Sequence, residues 1–288
     1  MLSEKARISE YLIGIFEQLP SRNSVKKAIK KGEVYLNGDE ADSGRWVNSG
    51  DEIQLMDLEE KLPRVFEFKM DVVFEDEYLA IVHKPAGLLV SGNQFRTLEN
   101  ALPFNVQKST EPDALKYPKP VHRLDFQTSG LLVTAKTAKA HAELGKMFKE
   151  RTIQKTYHAV VVGLTPESGV LEEDVNGQQA VTEFELVSSS PALQSGQISL
   201  LKLKPYTGRT HQIRIHTAGM GSPIVGDKIY GNKEKSIQHK GLFLSATGLD
   251  FTHPITQQPI SLQLDIPYKF LSLMKRAKRR WLKFKEEE

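Results

Sequence analysis

The chain has no cysteine in 288 residues. Disulfides and thiolate metal sites are therefore excluded, and the composition fits a cytosolic protein. No apolar run approaches the roughly eighteen residues that a membrane span requires. Residues Met1 to Arg7 lack the apolar core of a signal peptide. There is no internal repeat, no low-complexity segment, no glycine-rich phosphate loop and no serine-nucleophile motif. A strong charge bias is missing too: the formal net charge of +3 is too small to name a partner, so local clustering must decide. What is present, 39% hydrophobic and 26% charged residues, suffices for one large folded domain or two unequal ones.

The most informative stretch is His122-Arg123-Leu124-Asp125-Phe126-Gln127-Thr128-Ser129-Gly130. A single carboxylate follows a basic, apolar lead-in. A small-polar turn then opens the strand-like run Leu131-Leu132-Val133-Thr134-Ala135. An Asp in a turn is commonly a cap or a solvated loop residue. At such a junction it can instead project from a rigid scaffold into a cleft. Arg123 and Asp125 are two apart, so an extended backbone places them on one face.

Two further clusters carry chemistry. Lys155-Thr156-Tyr157-His158 opens an apolar strand, in which Tyr157 is either a core aromatic with its hydroxyl at the surface or a stacking platform for a base. Gly208-Arg209-Thr210-His211-Gln212-Ile213-Arg214-Ile215-His216 alternates in strand fashion, and Arg214 is placed to project inward. An arginine beside a carboxylate favours its ionised form. His211 and His216, five apart, suit neither one helical face nor one strand face, and no further ligands accompany them, so no metal site is expected.

The N-terminal 60 residues read as a separate module. Ser9 is the expected cap of a helix running through Phe16, and a turn follows at Leu19 to Asn23. A second helix carries Val25, Ala28 and Ile29 on one side and Lys26, Lys27, Lys30 and Lys31 on the other, with Gly32 ending it. Glu33 to Gly38 reads as a strand closing on an Asn-Gly turn, and Ile53 to Leu55 as another strand. A polar linker is expected around Glu59 to Arg64. Beyond it, strands are expected near Tyr78–Val82, Thr156–Val162, Thr182–Val187, Ile198–Leu203 and Leu242–Ala246, and a helix over Thr137–Glu150. Residues 93–119 read as polar and proline-punctuated, with a short helix near Leu98. Lys275 to Lys285 is a basic helix, read either as a solvated end or as an extra phosphate contact.

Two resemblances follow from these motifs. The first 55 residues or so resemble the S-four-type RNA-binding domain, which implies RNA contacts at Arg22, Lys26, Lys27, Lys30 and Lys31. One departure is Ser9, where that family usually has Asp. The blander reading is a solvated amphipathic helix. Residues from about Asp71 to Pro267 resemble the RluA-type pseudouridine synthases. The His-Arg-Leu-Asp motif with Thr128-Ser129-Gly130, the Lys155-x-Tyr157 strand and the Gly208 to His216 run appear in that family's order. So do Lys84-Pro85-Ala86-Gly87, Gly226-Asp227, Leu242-x-Leu244-x-Ala246 and His253-Pro254.

The resemblance implies an α+β fold: a mixed, largely antiparallel catalytic domain over 66–288 with flanking helices, after a small α/β RNA-binding domain over 1–60. It implies an isomerase that converts uridines in structured RNA to pseudouridine without a cofactor. Ribosomal RNA is the favoured substrate and transfer RNA the second. Asp125 becomes the nucleophile, Tyr157 the base-stacking residue and Arg214 the partner of the Asp. Arg123 fills the gap left by a flipped nucleotide, and Ile213 lies beside the base, with Lys155 and Arg209 as further substrate contacts. The segments before His122 and over Leu164 to Val181 are less family-like and are candidates for substrate choice. A cytoplasmic monomer is expected. The competing readings are a non-catalytic RNA-binding or assembly protein on the same fold, and a hydrolase pairing Asp125 with His122 or His211.

Overall fold

The computed structural model describes residues 6–56, 65–231 and 241–287. The linker expected around Glu59 to Arg64 lies outside the described residues. The chain divides into two compact units, Met1–Arg64 and Val65–Glu288.

The first unit contains β1 (Ala6–Arg7), α1 (Ile8–Tyr11), α2 (Arg22–Lys30), β2 (Val34–Leu36), β3 (Asp39–Glu40), β4 (Trp46–Val47) and β5 (Ile53–Leu55). Strand β2 lies between β3 and β5, and Ile8, Leu12, Val25, Ile29, Val34 and Leu36 form the core. The first helix is shorter than its sequence predicts. Ser9 is buried inside it rather than capping it, and Arg7 occupies the cap position. Beyond Leu12 the chain turns through Gly14, whose φ of +74° and bond from its N–H to the Leu19 carbonyl end the helical path. Capping falls instead to Ser21, which forms a reciprocal capping box with Ser24 at the start of α2. Asn37 and Gly38, with φ of 55° and 86°, close the β2–β3 hairpin as the Asn-Gly pair predicts.

The second unit begins with β6 (Val72–Glu75), β7 (Leu79–Lys84), α3 (Leu98–Asn105), β8 (Ala114–Pro120), β9 (Ser129–Thr137) and α4 (Ala138–Glu150). It continues with β10 (Gln154–Val162), β11 (Ser168–Leu171), β12 (Thr182–Ala192), β13 (Gly196–Pro205) and α5 (Gln212–Gly219). The last elements are β14 (Leu244–Thr252), β15 (Pro259–Gln263) and α6 (Tyr268–Glu286). Ten strands form one sheet whose main path is β11-β12-β13-β10-β14-β9-β7-β6, with β15 beside β14 and β8 beside β9. Apolar clusters cover both faces of its central strands: Ile81, Leu131, Val133 and Leu144 meet in one, and Val82, Leu98, Leu102 and Leu132 in another. The α+β class holds, with more strands than the sequence suggests. Strand β8 was hidden in the polar stretch of 93–119, because Pro118 and Pro120 are tolerated on an interrupted pairing outside the main path.

All pairings in this sheet are antiparallel except β9 with β14, where Ser129 and Gly130 face Ser245 and Ala246. Gly130 has φ +122°, and a Cβ there would overlap the Ala246 backbone. Only glycine allows these two strands to meet. Gly130→Ala is expected to destabilise the second unit by several kcal/mol, about 3 or more, by combining overlap with backbone strain. Urea unfolding checks it, and an unchanged midpoint would show that the junction can spread.

Candidate active site

Four central strands bring the site together. The loop carrying Asp125 enters β9, Leu244 opens the parallel β14, Tyr157 lies early in the antiparallel β10, and Pro205 ends β13. These ends lie together at one side of the sheet, around a cavity of about 450 Å³. Every residue expected at the catalytic site lines it: Arg123, Asp125, Lys155, Tyr157, Arg209, Ile213 and Arg214. The basic residues Arg22, Lys26, Lys27, Lys30 and Lys31 belong to the first unit. All five are exposed, but Arg22 is paired with Glu10 and Lys31 with Glu33, both at 2.9 Å.

The Asp125 turn is clamped from behind. Lys84, fully buried at the end of β7, donates from Nζ to the carbonyls of Pro85, Leu88 and Phe126 at 3.0, 2.8 and 3.3 Å. The Gly87 N–H donates to the same Phe126 carbonyl at 2.7 Å. Burial pushes the Lys84 ammonium down to about 8, against the attraction of the Asp125 charge. In the sequence, Lys84 stands out as the first residue of the Lys84-Pro85-Ala86-Gly87 motif. A further signal is a lysine closing a strand that is apolar from Leu79 to Val82.

On the cavity side, Arg214 Nη1 lies 3.5 Å from Asp125 Oδ2, and His211 Nε2 lies 3.8 Å from the same oxygen. Arg214 is not on a strand, as the alternation of Ile213 and Ile215 suggested. His211 adopts the left-handed region, with φ 60°, which breaks the extended path and starts α5. The guanidinium is fixed by Asp227, which accepts from Nε at 2.7 Å and from Nη2 at 2.8 Å. Asp227 also accepts from the backbone N–H groups of Ile229 and Tyr230. Burial works against its charge, but these hydrogen bonds outweigh it and hold the carboxyl below its ordinary range. The Tyr230 ring lies 5.2 Å from the guanidinium, and its hydroxyl is 3.0 Å from His211 Nδ1. The sequence reading noted Gly226-Asp227 only as part of an ordered pattern and did not single out Tyr230.

Tyr157 sits at a β-bulge between β10 and β14, where the register shifts between Thr156 and Tyr157. Bulges re-aim side chains, and this one lets the ring pack on two core clusters while lining the cavity. Burial first, and then the Asp125 charge, raise its phenol well above the ordinary range, so it stays protonated at neutral pH. Ile213 supplies a buried apolar surface, and Arg123 is exposed. The loop before α5 hangs on Gln212. Its Oε1 accepts from Thr207 Oγ1 and the Arg209 N–H, and its Nε2 donates to the Val181 carbonyl and Thr182 Oγ1.

His216 and His122 are held by hydrogen bonds within the fold. His216 is held by Thr182 Oγ1 and the Glu173 carbonyl. His122 accepts the Val133 N–H at Nε2 and stacks on Phe148, with ring centres 4.4 Å apart. Burial first, and then Lys155, push its imidazole down to about 3, so it stays neutral beside the cavity. A base with a lowered folded-state pKa destabilises the fold as pH drops. Its stabilising contribution is complete above about 6.5 and is lost towards 3. Moving from neutral to about pH 5 should therefore remove about 1–2 kcal/mol of stability that a His122→Asn variant does not lose. Urea midpoints at both pH values check this, and parallel losses in the two proteins would refute it.

Comparisons with known proteins identify the family. A family model described as RNA pseudouridylate synthase matches residues 78–219. An uncharacterized RNA pseudouridine synthase of Aquifex aeolicus (strain VF5) is 31% identical over 94% of this chain and 93% of that one. Ribosomal large subunit pseudouridine synthase C of Vibrio vulnificus (strain CMCP6) is also 31% identical, over 89% of this chain and 88% of that one. In fold, the chain is like human RNA pseudouridylate synthase domain containing 4. That structure superposes with a TM-score of 0.58 at 24% identity, over 72% of this chain and 92% of that one. The chain belongs to the RNA pseudouridylate synthase family and is thus an isomerase acting on RNA.

Proposed function

We propose that Asp125 is the catalytic carboxylate and that the cavity around it receives a uridine flipped out of structured RNA. The observation that carries this reading is the Asp125–Arg214 approach of 3.5 Å inside a cavity also lined by Tyr157 and Ile213. The reaction breaks the bond from N1 to the ribose, turns the uracil and bonds C5 to the same ribose carbon. A proton leaves C5 and N1 gains one, so nothing is oxidised and no outside group is transferred. Asp125 acts as an anion, at the ribose, at the ring or on a ribose proton. Arg214, aimed by Asp227, neutralises charge beside it. Tyr157 offers its ring as a stacking face, in a contact class worth roughly 1–3 kcal/mol per base. Extrusion of the base costs a few kcal/mol, and Arg123 fills the gap that it leaves, a role supported by its exposure on the cavity lining. Lys155 and Arg209 complete the substrate contacts.

The first unit serves as an RNA-binding module over residues 1–60, with the catalytic unit following from 66. Lys26, Lys27 and Lys30 support that role, since among the described residues none of them pairs with a carboxylate. Ribosomal RNA is the favoured substrate, in keeping with the name of the Vibrio relative, and transfer RNA is the second choice. The protein works in the cytoplasm, in keeping with its lack of cysteine, and as a monomer. Pseudouridine mapping of total RNA tests the assignment, comparing a strain without the protein with the same strain complemented by wild type. One or a few sites lost and restored name the substrate. No lost site would count against it.

A further inference from the structure

Two cations on the cavity lining have no task in the reading above. Lys149 and Arg151, at the C-terminal end of α4, line the same cavity as Asp125, together with Lys155 at the start of β10. Among the described residues, none of the three forms an ion pair with a carboxylate. The hydrogen bond of Lys155 Nζ is a long one, 3.5 Å to the Thr207 carbonyl. Burial first, and then the positive charge of Arg151, lower the Lys155 ammonium below the ordinary lysine range. Like charges gathered on one wall repel one another, and a polyanion relieves that repulsion.

The backbone provides an independent observation. Arg151 closes α4 in the left-handed region, with φ 62°. Glycine is the residue of least cost at that position, because a Cβ crowds the backbone there. The chain carries an arginine where glycine would fold more easily, and that arginine lines the cavity. Strain of this kind, kept beside a site, points to a use for the side chain. The competing explanation is that Lys149 and Arg151 merely complement the helix dipole of α4.

We infer that Lys149, Arg151 and Lys155 form a phosphate-binding wall that grips the RNA backbone next to the target uridine. The inference rests on the assignment of the cavity to a flipped uridine. In this arrangement the base enters between Tyr157 and Ile213, while a neighbouring phosphodiester lies against the end of α4. A helix C-terminus repels anions by itself. The three side chains therefore supply the whole attraction.

The test uses full-length protein and ribosomal RNA from a strain lacking it. Binding is measured over a salt series, and pseudouridine formation is measured alongside. Arg151→Gly removes the charge and relieves the strain, so its urea midpoint should equal or exceed that of wild type. Its affinity should nevertheless fall roughly threefold to tenfold, with a logarithmic salt dependence shallower by about 0.7–0.9. Lys149→Gln should show the same direction, and Lys139→Gln, at the far end of α4, should match wild type. Affinity and salt dependence unchanged in both Arg151→Gly and Lys149→Gln would overturn the phosphate wall. If wild type forms pseudouridine in that case, only the wall fails. If wild type forms none on this RNA or on transfer RNA from the same strain, the assignment of the cavity fails and the wall with it.

Discussion

Asp125→Asn should abolish pseudouridine formation while leaving RNA affinity within about twofold of wild type. The substitution keeps the size of the side chain and removes its charge. The clamp on the turn is made to backbone, through Lys84 and Gly87, so the loop should keep its path. What disappears is the anion that faces Arg214 at 3.5 Å. A group that acts on the reacting atoms is expected to cost several orders of magnitude in rate, on the order of 10⁴-fold or more. Single-turnover assays with RNA from a strain lacking the protein measure it. Turnover close to wild type, in protein free of the host enzyme, would remove Asp125 from the chemistry.

Asp227→Ala should have the largest effect on stability. Asp227 and Arg214 are almost wholly buried, and their two hydrogen bonds are short. Removing one partner leaves a buried guanidinium whose other carboxylate contact is the longer one to Asp125. Breaking a buried pair in this way costs roughly 3–5 kcal/mol. The loss should appear as a lowered urea midpoint and, in the protein that remains folded, as a lowered rate at saturating RNA. Asp227→Asn keeps an acceptor and should lie between the two. An Asp227→Ala protein as stable as wild type would mean that Arg214 is held by something other than this pair.

The legible and illegible parts of the chain differ for physical reasons. Strand β10 was readable because Ala159 to Val162 are buried on both faces, so the sequence is a continuous apolar run. Helix α4 was readable from its spacing, and Thr137 caps it. The cavity residues were legible through motifs whose order in the chain is diagnostic of the family. By contrast, α5 looked like a strand, because Gln212 to His216 alternates. What makes it a helix is the left-handed turn at His211 and the four hydrogen bonds of Gln212, none of which leaves a periodic signal. The aim of Arg214 depends on Asp227, thirteen positions away, and the clamp on Asp125 depends on Lys84, whose Nζ reaches the Phe126 carbonyl. Such pairings become visible only when the strand order is known.

The parallel β9–β14 pair also sets the order in which the protein can be built. Strand β14 lies between β9 and β10, so in the sheet the wall that carries Asp125 and the wall that carries Tyr157 are bridged by residues 244–252. Until those residues leave the ribosome, both walls present unsatisfied strand edges to each other. Closing that gap pairs Ser129 with Ser245 across more than a hundred intervening residues, a loop whose ordering comes late and slowly. A nascent or truncated chain therefore holds the Asp125 loop without a completed pocket around it, and catalytic competence arrives with the last central strand.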